Sequence, residues 1–230
     1  MNNEFSSSIP VAVQEDAAKP RCKPAGRPRA SELEARTQNL IHTAGMLFLN
    51  NGYGNVSLEM IAREAHVAVR TIYVKFGGKA GLLKAAIDAN RDQFYTLNEL
   101  DNDTRPMAQV LHEFGVHFYD MITAPVAVTL QRMVISEART SPELAETFFN
   151  TGPRQTREML QRYFARPDIR AQLSDEVDVA LLPAFLLNCL IGDQYTRFLF
   201  DSHDTLVTET SANVPKRVEL FLRAALREHR

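Results

Sequence analysis

Residues 56–76, VSLEMIAREAHVAVRTIYVKF, decide how this chain is read. Ser57 stands directly before Leu58, Ile61 and Ala62. A Ser at that place starts a helix, because its hydroxyl accepts from an early backbone N–H that has no partner inside the helix. The apolar spacing carries a short helix to about Glu64. The chain breaks at Ala65-His66-Val67, resumes as a second helix from Ala68 to about Lys75, and stops at Gly77-Gly78, where left-handed backbone is tolerated. Two short helices joined by a tight turn have the form of a helix-turn-helix over residues 56–75. That motif lays its second helix in a DNA major groove while the first crosses the backbone.

The side chains suit that placement. Arg70 has the fork that reads a guanine edge, and Thr71 and Tyr73 carry hydroxyls for phosphates. Val69 and Val74 either meet thymine methyls or simply pack. Lys75 and Lys79 put charge at the end of the helix, and Ser57 and Ala68, at the starts of the two helices, are counted with them as candidate DNA contacts. Further upstream, Arg27 and Arg29 lie on an arm long enough to reach a neighbouring phosphate or the minor groove. The plain alternative for the charges is solvation, and for Tyr73 it is core packing.

Charge follows the same division. The 230 residues carry 26 Lys plus Arg, 28 Asp plus Glu and a formal charge of -2. Yet residues 19–91 hold 12 basic against 5 acidic residues, and the rest holds 14 against 23. A basic segment on an acidic body expects one part to meet a polyanion. The 45% hydrophobic content is that of a globular chain. Two cysteines, Cys22 and Cys189, cannot build a disulfide framework or a Cys-rich zinc site. No apolar stretch reaches the roughly 18 residues of a spanning helix. The start, MNNEFSSSIP, lacks the basic head and apolar core of a signal peptide. A cytoplasmic protein is expected.

Working outward, residues 1–30 read as a flexible basic arm, with Pro20, Pro24 and Pro28 opposing helix. A helix is expected from Ser31, with Ser31 and Glu34 as a capping box and Leu40, Ile41, Ala44, Leu47 and Phe48 as its apolar face. Residues 31–78 then form the DNA-binding domain, and 79–230 a helical regulatory and dimerisation domain. A helix from Lys79 is expected to reach Phe94. Beyond residue 105 the periodicity is helical throughout, with a break at Gly152-Pro153. Two apolar helices, about 175–200 and 214–228, are expected to pair with their two-fold mates.

Across residues 33–87 the chain resembles the DNA-binding domain of TetR/AcrR-type bacterial transcriptional regulators. Phe48, Gly52-Tyr53, Ser57, Ile61-Ala62, Ala65, Val67, Thr71-Ile72-Tyr73, Phe76, Lys79 and Leu82 carry the resemblance without a gap. It implies an all-α homodimer whose binding to a palindromic operator is controlled by a ligand, and phosphate contacts at Tyr73 and Lys79. His66 stands where the family commonly has a turn Gly, and Ala68 where it has a Ser or Thr cap. A lost cap costs about 0.5–2 kcal/mol. Residues 133–149, MVISEARTSPELAETFF, look like the AefR-like subgroup.

Candidate ligand residues in the body are Phe114, His117, Phe118, Met121, Arg132, Phe185 and Asn188. The five-residue step from His112 to His117 leaves one helical face, so no metal site is expected. No cofactor motif and no nucleophile motif is present, and no enzymatic activity is expected. The expected protein is an all-α DNA-binding regulator, a repressor released by a small apolar or amphipathic effector. An activator of the same fold and an architectural DNA-binding protein without effector are the alternatives.

Overall fold

The structure, a computed structural model, describes residues 30–93, 100–192, 196, 199–200 and 211–227. The chain is helical, and the described residues hold no β-strand, only an isolated bridge between Leu173 and Leu226. In chain order the helices are α1 Ala30–Asn51, α2 Leu58–Glu64, α3 Val69–Phe76 and α4 Lys79–Arg91. They continue with α5 Met107–Thr123, α6 Pro125–Glu137, α7 Pro142–Thr151 and α8 Pro153–Ala165. The last are α9 Pro167–Arg170, α10 Leu182–Ile191 and α11 Val214–Ala225.

Two apolar cores organise these helices. The first forms where the stripe Leu40, Ala44 and Phe48 of α1 meets Ile61 and Ala62 of α2 and Ile72 of α3. It does not stop at residue 78. Leu82, Leu83 and Ile87 of α4 complete it, together with Met133 and Val134 of α6 and Leu144 of α7. The second core gathers α5, α8, α10 and α11 around Phe114, Leu160, Tyr163, Phe164, Leu186 and Phe221. A Cβ on Gly115 of α5 would stand 2.9 Å from a Val214 methyl and 3.0 Å from a Leu190 methyl, so a larger residue there would push aside side chains of α10 and α11.

Several boundaries differ from expectation. α1 already runs from Ala30, which puts Ser31 and Glu34 inside the helix rather than at its cap. The helix expected from 175 begins at Leu182, because residues 174–181 are turns whose Val177 and Val179 pack against the core without being helical. Pro183 marks the true start, since proline suits the first helical turn. Ser141 occupies the cap position of α7 but makes no side-chain cap hydrogen bond. The expected break falls between Thr151 and Pro153. α4 stops at Arg91, with Asp92 and Gln93 in a turn, short of the expected Phe94, which itself lies outside the described residues, as do most of residues 193–200 in the expected dimer helix.

Candidate nucleic-acid interface

The α2–α3 turn is built as the sequence requires, with one unusual residue. Ser57 accepts from the Met60 N–H at 3.2 Å and starts α2. At the far end the Val67 N–H bonds the Ala62 carbonyl at 2.9 Å and the His66 N–H bonds the Arg63 carbonyl at 3.3 Å. This pair of bonds is a Schellman turn, and it needs a left-handed residue. His66 supplies it at φ 54°. The turn is therefore held by backbone bonds despite the missing glycine. α3 starts at Ala68 with no side-chain cap hydrogen bond.

α3 has two distinct faces. Ile72 is buried, and Val69 and Phe76 pack beside it against the first core. Opposite them Arg70, Tyr73, Val74 and Lys75 are exposed, Val74 at 74%. A valine so exposed near the end of a short helix buries little of its apolar surface in the free chain. Thr71 is half-buried at the edge. Val69 thus packs inward, whereas Val74 faces out beside Arg70 and Tyr73. Lys75 donates from Nζ to Thr37 Oγ1 on α1, which places it next to the helix that the arm enters. Arg27 and Arg29 lie outside the described residues.

The corner between α3 and α4 is tight. A Cβ on Gly81 would fall 1.7 Å from the Phe76 carbonyl oxygen. Only glycine lets α4 start there, and α4 then carries the reading head on the body. Lys79 turns inward: its Nζ sits 4.2 Å above the Tyr53 ring. Burial pushes its ammonium below the usual lysine value, against the pull of Glu143 and Glu137.

These two carboxylates form a junction that sequence reasoning did not anticipate. Glu137, the last residue of α6, accepts from the Tyr53 N–H at 3.0 Å through Oε1 and from the Gly54 N–H at 2.7 Å through Oε2. The Tyr53 hydroxyl donates to Glu143 of α7. Burial first, and then this bond, push the phenol well above its ordinary value. The loop between α1 and α2 is thereby tied to the body by charge-assisted hydrogen bonds. The partners are more than eighty residues apart in sequence, and no local pattern marks them.

In the body, a cavity of about 280 Å³ lies among α4, α5, α6, α7, α8 and α10. Of the expected ligand residues, Phe118, Met121 and Asn188 line it. Phe114 does not; it belongs to the second core, stacked on Phe118. His117 faces an open groove along α5 with His112 and Glu113. Arg132 donates from Nε to the Leu199 carbonyl at 3.0 Å. Phe185 is exposed on the outer side of α10. Gln131 and Arg91 line the cavity unforeseen; a polar residue in the middle of apolar α6 was the available signal. Among the described residues no group of three or more His, Cys, Asp or Glu gathers as metal ligands. No described helix is long and apolar enough to cross a membrane.

Comparison with known proteins bears on the same two units. Residues 40–86 match the model of the bacterial regulatory proteins of the tetR family. Residues 109–224 match the C-terminal domain of AefR-like transcriptional repressors. The HTH-type transcriptional repressor ComR of Escherichia coli is 25% identical over 174 residues, covering 74% of this chain and 80% of that one. The DNA-binding transcriptional repressor TetR of Mycobacteroides abscessus is 36% identical over 61 residues, 26% of this chain and 32% of that relative. A crystal structure of a TetR-family regulator from Mesorhizobium loti superposes with a TM-score of 0.65 at 19% identity, covering 84% of this chain and 98% of the other.

Proposed function

We propose that this chain, which belongs to the TetR family of bacterial regulatory proteins and is a DNA-binding transcriptional regulator, represses from a palindromic operator as a homodimer and is released by a small effector. The observation that carries the reading is the outer face of α3. Arg70, Tyr73, Val74 and Lys75 are all exposed there, while Ile72 on the opposite face anchors the helix. In this reading Arg70 contacts a base edge, Val74 a thymine methyl, and Thr71, Tyr73 and Lys75 phosphates. Lys79 joins them only by leaving the Tyr53 ring. Arg27 and Arg29 add contacts from the arm.

The dimer reading draws support from α10 and α11. Leu181, at the cap of α10, and Phe185, one turn on, stand exposed, and Leu220 is exposed on neighbouring α11. An apolar strip of this kind marks an interaction surface, and a two-fold pairing of it would set two α3 helices on half-sites about 34–36 Å apart. The effector reading draws support from the cavity, of which α6 is one wall. The same helix ends in Glu137, which holds the Tyr53–Gly54 loop. A molecule that displaces α6 would move the reading head; it acts only through unequal affinity for the two arrangements.

Footprinting on DNA upstream of the protein's own gene tests the whole reading. The expected pattern is a protected site with dyad symmetry and two half-sites. Protection without symmetry would remove the dimer on a palindrome. Uniform weak protection would remove sequence-specific repression.

A further inference from the structure

We infer that the cavity takes a neutral, largely apolar molecule with a single polar group that both donates and accepts a hydrogen bond, as a phenol or an aryl alcohol does. The inference rests on the reading of this cavity as the effector site. Its walls are mainly Phe118, Met121, Leu130, Phe148, Leu187 and Ile191. A volume of about 280 Å³ is the share of roughly nine liquid waters, which suits about ten to fifteen non-hydrogen atoms.

Two polar side chains in the wall are incompletely satisfied. Gln131 on α6 is 6% exposed, and its Oε1 has no hydrogen-bond partner. Arg91 at the end of α4 is 8% exposed, and its Nε has none. Buried polar atoms are nearly always paired, so such atoms in a cavity wall await a partner. The Gln131 amide can turn either its oxygen or its nitrogen to the cavity. Against it a group that both donates and accepts is satisfied in either orientation.

Charge selects against ions. The other nitrogens of Arg91 are engaged by the Thr151 carbonyl and Gln155 Oε1, both at 3.0 Å, by Asp88 at 2.8 Å and by Asp92 at 3.3 Å. Asp88 also takes Lys84 at 2.6 Å. Two cations and two anions cancel, so a carboxylate entering the cavity meets a cation that is already neutralised. An ammonium finds no spare anion. Arg157, the other charged residue in the lining, is exposed to solvent. A charged ligand would lose its hydration without compensation.

Four compounds of one shape test this on the full-length protein by thermal shift and calorimetry: 4-propylphenol, propylbenzene, 4-propylbenzoate and 4-propylbenzylamine. The phenol is expected to bind about three- to tenfold tighter than the hydrocarbon, and both ions about tenfold weaker than the phenol or worse. Gln131→Leu should bring phenol and hydrocarbon to nearly equal affinity. This variant removes an unpartnered buried oxygen and should fold. Tighter binding of the benzoate or the amine overturns the inference while leaving the cavity as a ligand site. So does equal binding of phenol and hydrocarbon by the unaltered protein. No binding by any of the four overturns the effector reading along with it.

Discussion

Buried polar atoms are treated differently in the two halves of the molecule. Those without a hydrogen-bond partner among the described residues are Arg91 Nε, His112 Nε2, Gln131 Oε1 and Tyr163 Oη, besides Asp88 Oδ1, which the Arg91 ion pair engages at 2.8 Å, and α1, α2 and α3 hold none. The reading head is a small core sealed by a Ser cap, a Schellman turn and a glycine-tight corner. Two of the unpartnered atoms, Arg91 Nε and Gln131 Oε1, belong to residues that line the cavity. The two halves meet at Glu137 and Glu143 against Tyr53 and Gly54. On the proposed effector reading, the first half serves as a fixed reader and the second as the sensor.

The comparison can be broken most strongly at the α3–α4 corner. Gly81→Ala forces a Cβ onto the Phe76 carbonyl and should cost about 3 kcal/mol of stability, read by urea unfolding. A loss near zero would mean that the corner yields and the head is not rigid. Arg70→Ala, by contrast, should leave stability unchanged and weaken operator binding by about 1–3 kcal/mol. An unchanged affinity in titration removes Arg70 as a base reader. At the junction, Glu137→Ala strands the N–H of buried Tyr53 and should lower stability by about 1–2 kcal/mol. It should also weaken the response of DNA binding to any cavity ligand; an undiminished response would place the coupling elsewhere. The smallest effect is a gain. His66→Gly removes the strain of a left-handed histidine and should raise stability by about 1 kcal/mol, seen as a higher Tm. A lower Tm would mean that the His66 side chain contributes more than its backbone costs.

The same contrast explains what was legible in the sequence. The reading head shows itself because its signals are local. Ser57 caps three residues ahead, Leu40, Ala44 and Phe48 repeat at helical spacing, and Ile72 separates the inner face of α3 from Arg70 and Val74. Even the two departures, His66 and Ala68, sit where the sequence put them. In the body, apolar content reports burial but not conformation. Val177 and Val179 are core residues in a turn, so the expected long helix began seven residues too early. Nor does periodicity say which face of a buried helix abuts a void. On α5 it grouped Phe114, His117, Phe118 and Met121, yet only Phe118 and Met121 reach the cavity. The Glu137 junction depends on a partner 84 residues away, which no window along the chain contains.

Fluorescence anisotropy of the purified protein on DNA from upstream of its own gene, with scrambled competitor and at several salt concentrations, tests the central claim most directly. Saturable binding that survives the competitor and weakens on Arg70→Ala is expected. Equal binding to both DNAs with a steep salt dependence would reduce α3 to a backbone contact, and would contradict its reading of bases.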